Sequence, residues 1–119
     1  MALPHAVAGE PCDVRPLRSA LADHKTTAIF KSRQLEVLRL VLPAGRKLPP
    51  HRVPGEITVH CIEGVLLIGL ESGARRLDAG HILFLRGGEL HDVAAEADAS
   101  ALVTVVLSDA STGDTSDSP

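Results

Sequence analysis

The segment QLEVLRLVL (residues 34–42) constrains the fold more than any other part of the chain. Leu35, Val37 and Val41 share one strand parity, and Leu38, Leu40 and Leu42 share the other, so both faces of the extended chain are partly apolar. Such a strand needs cover on two sides, which a sandwich or closed barrel supplies and a solvent-facing hairpin does not. The rest of the chain reads as further short runs cut by turn residues. TTAIF precedes it. ITVHCI is closed by Glu63-Gly64, VLLIGL is turned by Glu71-Ser72-Gly73, and RRL is followed by Asp78-Ala79-Gly80. HILFL, His91–Ala95 and ALVTVVL complete the set, while RKLPPHRVPGE, with three prolines and a glycine, reads as a loop or edge segment. Eight or nine short strands with almost no helix predict an all-β sandwich or barrel, which jelly-roll closure would complete. Its edge strands need hiding, by barrel closure or by pairing as a homodimer.

The 119 residues suffice for one domain and its core. Residues 1–25 read as an irregular lead-in, with a short helix led by Pro16 that places Leu17, Ala20, Leu21 and His24 on one face. Residues 26–108 form the β domain, and residues 109–119 an acidic tail expected to be disordered. The formal charge of −3 comes from three aspartates beyond Ser108. The remainder is neutral, and with two Phe, no Tyr and no Trp it offers neither basic charge nor stacking platforms for nucleic acid. No apolar run approaches the ~20 residues of a membrane span, and the N-terminus lacks the pattern of a secretory signal. Cys12 and Cys61 are too few for a disulfide framework. Cys61 reads as a small buried hydrophobe. A cytoplasmic protein, not attached to a membrane, is the expectation.

Two glycine–histidine spacings carry chemistry. The first is Gly45-RKLPP-His51-Arg52-Val53-PGEITVHCIE-Gly64; the second is Gly80-HILFL-RGGEL-His91-DVA-Ala95, fifteen residues further on. In this pattern the chain resembles the small single-domain cupins, over about residues 35–107. The resemblance implies the RmlC-like jelly roll, with histidines of separate strands pointing into one barrel mouth. In metal-binding cupins a pair of histidines and a glutamate from the first motif join a histidine of the second to hold a divalent transition metal (Fe, Mn, Ni, Cu or Zn). Here His51 and His91 match. The second histidine position is Val53, the glutamate position falls on Ile57, and the second motif has Arg86 and Ala95 in place of its Pro and Asn. Glu56 adjoins the glutamate position, and a bulge or shortened loop would bring it to the site with His51 and His91.

Strand alternation turns His60 away from the interior if Ile57 faces inward, as a sheet-face or interface histidine; a register slip would make it a replacement ligand. His81 reads as surface. Arg46, Lys47 and Arg52 flank His51 and read as solvated loop charges, or as a lure for an acidic small molecule. The leading expectation is a small-molecule-binding protein with a pocket lined by Val53, Ile57, Val59, Leu83 and Leu85 around His51 and His91. Two rivals stand beside it. One is a metal-dependent dioxygenase-like or isomerase-like enzyme using His51, His91 and Glu56. The other is a stand-alone sensor or dimerisation module. The fold cannot choose among them, because function lives in the site.

Overall fold

Inward-facing aliphatic residues at every second position draw residues 27–106 into seven antiparallel strands in the computed structural model, which describes residues 6–107. They are β1 (Thr27–Lys31), β2 (Leu35–Leu42), β3 (Lys47–His51), β4 (Ile57–Leu70), β5 (Gly73–Asp78), β6 (Ile82–Leu85) and β7 (His91–Val106). Strands β4 and β7 are long and pair along most of their length, and every other strand attaches through them. The first half of β4 and the second half of β7 carry β6 on one side and β2, then β1, on the other. The second half of β4 and the first half of β7 carry β5 and β3. The result is a jelly roll of two facing sheets that share their two central strands.

Two expected breaks are corners instead. Glu63-Gly64 was expected to end one strand and start another, and His91–Ala95 to stand apart from Ala101–Leu107. Both segments run on without interruption, so β4 spans 14 residues and β7 spans 16. The register slips between Cys61 and Leu66, which is a bulge that bends the pair from one sheet to the other. Gly64 sits there at φ +79°, and a Cβ on it would strike the Asp98 carbonyl oxygen and approach the Ala99 Cα to 2.7 Å. The bulge also swaps the buried parity of β4, from Ile57, Val59 and Cys61 to Leu66 and Ile68.

The core lies between the sheets. Leu40, Leu42, Ile57, Val59, Cys61 and Leu85 come from one, and Leu66, Ile68, Leu77, Val93 and Ala95 from the other. Leu66 and Ile68 expose no surface, and burying such a side chain stabilises by roughly 1.5–3 kcal/mol. The RKLPPHRVPGE segment supplies β3, an edge strand paired only with β7 and irregular between Leu48 and His51, where Pro49 and Pro50 have no N–H to donate.

The expected helix after Pro16 is a 3-10 turn, Arg18–Asp23, with Leu21 as its buried residue. It is pinned to the barrel by a polar cluster. The Glu63 carboxylate accepts the backbone N–H groups of Leu17 (2.8 Å) and Arg18 (2.9 Å) and the Ser100 hydroxyl. Buried Arg39 donates to the Arg15 carbonyl (2.6 Å) and to Ser100 Oγ (3.1 Å). No helix among the described residues is long and apolar enough to cross a membrane. The acidic tail assigned to residues 109–119 lies outside the described residues.

Candidate functional site

Strand pairing fixes which side chains face the space between the sheets. On one sheet the inner rows are Leu85, Ile57, Val105 and Glu36, then Leu83, Val59, Val103 and Leu38. On the other they are His51, His91 and Leu70, then Leu48, Val93 and Ile68. Between them lies a cavity of about 380 Å³, walled by Leu38, Leu40, Leu48, Val93, Val103 and Val105 with His51 and His91. That volume is within the usual range for small-molecule sites, and so is the mixture of many aliphatic groups with a few polar ones.

His51 and His91 are directly paired across β3 and β7, and their ring centroids lie 4.4 Å apart at an interplanar angle of 54°. His91 is buried, with 5% of its surface exposed, and His51 is exposed at the rim. Each ring is fixed by its own backbone. His91 Nδ1 lies 3.0 Å from the Glu89 carbonyl, and His51 Nδ1 lies 3.3 Å from the Pro49 carbonyl. A carbonyl only accepts, so both Nδ1 atoms carry the proton and donate it. In the neutral ring that leaves Nε2 as the acceptor or ligand atom. Arg39 Nε is the one sealed side-chain nitrogen or oxygen without a partner among the described residues. Among the described residues the Nε2 of His91 makes no hydrogen bond either, which leaves it for an incoming group.

The other expected site residues divide sharply. Val53, Ile57 and Val59 line the cavity. Leu85 and Leu83 face inward beside Ile57 and Val59, but they belong to the packed core and do not line the cavity. Glu56 is exposed and lies outside the lining, just before β4 begins. His60 is on the outer face, in a row with Ile82 and Leu102, because the register is unslipped at that point. His81 is exposed, and its Nδ1 accepts the Asp78 N–H. Arg46, Lys47 and Arg52 are exposed and do not line the cavity.

The donor set is short for a resident transition metal. Such sites use at least three protein ligands, and among the described residues no three His, Cys, Asp or Glu side chains converge. His51 and His91 therefore do not by themselves fit the metal that the fold family implies. The residue not anticipated is Glu36, the one charged side chain of the lining. Its signal was present in the sequence: it shares the parity of Leu38 and Leu40, and an acid in phase with a core stripe faces inward.

A larger hollow, about 550 Å³, lies outside the barrel between residues 6–14 and the outer face of β1, β2 and β7. One wall is the mostly exposed lead-in, and the polar residues that line it, Glu10, Cys12, Lys31 and Ser32, are all exposed, unlike buried His91. Size alone therefore does not make it the better candidate. Two free cysteines complete the reactive groups: Cys12 is exposed, and Cys61 is sealed in the core, where burial raises its thiol pKa.

No protein-family model and no curated protein matches the chain. Solved structures do. A cupin superfamily protein from Desulfitobacterium hafniense superposes with a TM-score of 0.72 at 14% identity, covering 90% of this chain and 99% of that one. A conserved protein of unknown function from Streptococcus pyogenes gives 0.71 at 20% identity, covering 89% and 96%. An RmlC-like cupin from Desulfovibrio desulfuricans gives 0.64 at 21% identity, covering 89% and 97%. At these identities the likeness establishes the fold, which is that of a small cupin.

Proposed function

We propose that this cupin-fold protein binds a small molecule in the cavity between its sheets, with His51 and His91 as the groups that orient it. The observation carrying this reading is the pairing of two adjacent imidazoles, each held by a backbone carbonyl, with a cavity whose other walls are mainly aliphatic, Glu36 being the charged exception. Rings already fixed lose little freedom when a ligand arrives, which favours affinity. Largely apolar walls, with no third donor converging on the histidine pair among the described residues, favour binding over metal-dependent dioxygenase or isomerase chemistry. The reading includes a homodimer, supported by the exposed apolar residues Ile82 and Phe84 on edge strand β6.

A ligand-observed NMR screen of a fragment library against the full chain and a Val103→Phe variant tests the proposal. Val103 lines the cavity and is half-buried, so Phe there fills space that is free. The expected result is a set of fragments that bind the wild type and weaken at least about tenfold in the variant. Binding that is absent, or indifferent to filling the cavity, would remove the reading.

A further inference from the structure

The chemistry of the cavity lining selects among ligands. We infer that the ligand is an uncharged compound carrying a hydroxyl group, held by donation of its one O–H proton, shared between the Nε2 atoms of His51 and His91, and not a carboxylate or phosphate. The inference rests on the binding reading above and adds the class of molecule.

Three observations carry it. The first is the direction of the hydrogen bonds. Both Nδ1 atoms give their protons to backbone carbonyls, so in the neutral rings the cavity offers two acceptors and lacks a matching imidazole donor. A ligand group that donates is satisfied there, and one that only accepts is not. The second is charge. Arg46, Lys47 and Arg52, which might have met an acid, lie outside the lining, and the one charged group that lines it is Glu36. An anion entering this space would lose its water with no cation to replace it. The third is the surroundings. Leu48, Val93, Val103 and Val105 give the rest of the ligand an apolar bed, where burial of carbon surface supplies the main attraction.

Glu36 does not turn the preference toward cations. It belongs to the outermost inner row, opposite Val105 and Lys31 on the neighbouring strands, and is only half-buried. A charge with access to water is screened, and it steers a ligand less than a buried one would.

The test uses phenol, toluene, benzoate and benzylammonium, four compounds of similar carbon frame, titrated at pH 8.5 into the full chain and into His51→Ala, His91→Ala and the double variant. Dissociation constants come from NMR titration, with the ring proton resonances of the two histidines as site reporters. The ratio of phenol to toluene affinity is expected to fall about twofold in each single variant, because the two rings share one proton, and about fivefold, the yield of one net hydrogen bond, in the double variant. Phenol is expected to bind more tightly than either charged probe in the wild type. If His91→Ala does not fold, His51→Ala carries the test, because His51 is exposed. A phenol-to-toluene ratio unchanged in the variants overturns the hydroxyl class but leaves the pocket standing. Tighter binding of benzoate or benzylammonium than of phenol overturns the preference for an uncharged ligand. Failure of all four probes at about 10 mM removes the pocket reading along with the inference.

Discussion

Glu63 on β4 stands opposite Ser100 on β7, and its carboxylate accepts the Ser100 hydroxyl at the corner where the two strands pass from one sheet to the other. The same carboxylate takes two backbone N–H groups from residues 17 and 18 and lies 3.5 Å from the Arg39 guanidinium. It thus joins the bulge, the central strands and the N-terminal turn in one contact. Burial pushes the Glu63 carboxyl upward, but the hydrogen bonds from Ser100, Leu17 and Arg18, with the Arg39 charge, together hold it below its ordinary range.

That depression has a signed consequence. A carboxyl with a lowered folded pKa contributes stability above its unfolded value, about 4.3, and loses it as pH falls through the folded value. Glu63→Gln is expected to destabilise the chain by roughly 1–3 kcal/mol at pH 7. The gap from wild type should narrow progressively below about pH 4. Urea unfolding at pH 7, 5, 4 and 3 reads this directly. A gap constant over that range would show that the charge of Glu63 is not what secures the corner.

The bulge glycine should be far less replaceable than a turn glycine of similar backbone. Gly64 and Gly80 have φ of +79° and +90°, but a Cβ at Gly80 meets open space while one at Gly64 meets the β7 backbone. Gly80→Ala is expected to cost about 1–2 kcal/mol, the backbone term alone. Gly64→Ala is expected to exceed about 3 kcal/mol, because the collision is with a main chain that cannot swing aside. Comparing their denaturant midpoints separates space from φ.

Metal removal should leave the protein unchanged. Because two imidazoles converge with no third donor among the described residues, overnight treatment with EDTA is expected to shift the melting temperature by less than about 1 °C and to leave phenol affinity within twofold. Elemental analysis of untagged protein is expected to show well under one equivalent of any transition metal. Near-stoichiometric metal, lost in both His51→Ala and His91→Ala, would instead move the metal-dependent enzyme to the front.

The outer face offers a test of the homodimer. Phe84, Thr58, Thr104 and Val37 form one outward row, and Ile82, His60 and Leu102 the next. Phe84 and Ile82 are 57% and 64% exposed, an apolar pair at the open edge of the sheet. Sedimentation is expected to give a dimer at 10 µM for the wild type and a monomer for Phe84→Glu. A wild-type monomer at that concentration would end the homodimer reading.

Much of this architecture was legible in residue order. The two apolar parities of residues 35–42 required cover on both sides, and the glycine–histidine spacings brought His51 and His91 to one cavity. What could not be read was continuity. A glycine after an acid looks the same in sequence whether it closes a hairpin or bends a strand, and only the partner strand decides. Glu56 failed to join the histidines because it adjoins inward-facing Ile57 just before β4, and the bulge that would have turned it to the site lies instead beyond Cys61. The Arg39–Glu63–Ser100 cluster was out of reach altogether. Its members are dispersed in sequence and meet only at the corner.

Because β4 and β7 each run through both sheets, this molecule has no hinge. Its halves cannot part like jaws to swallow a ligand, since opening them would tear the two central strands. Under the proposed binding, passage would fall to the periphery: β3, held along one side only and interrupted by its prolines, and the residue 52–56 connection that follows it. His51 ends that strand and Val53 lies in that connection, so one of the groups proposed to orient the ligand and the stretch that would admit it are parts of the same short piece of chain.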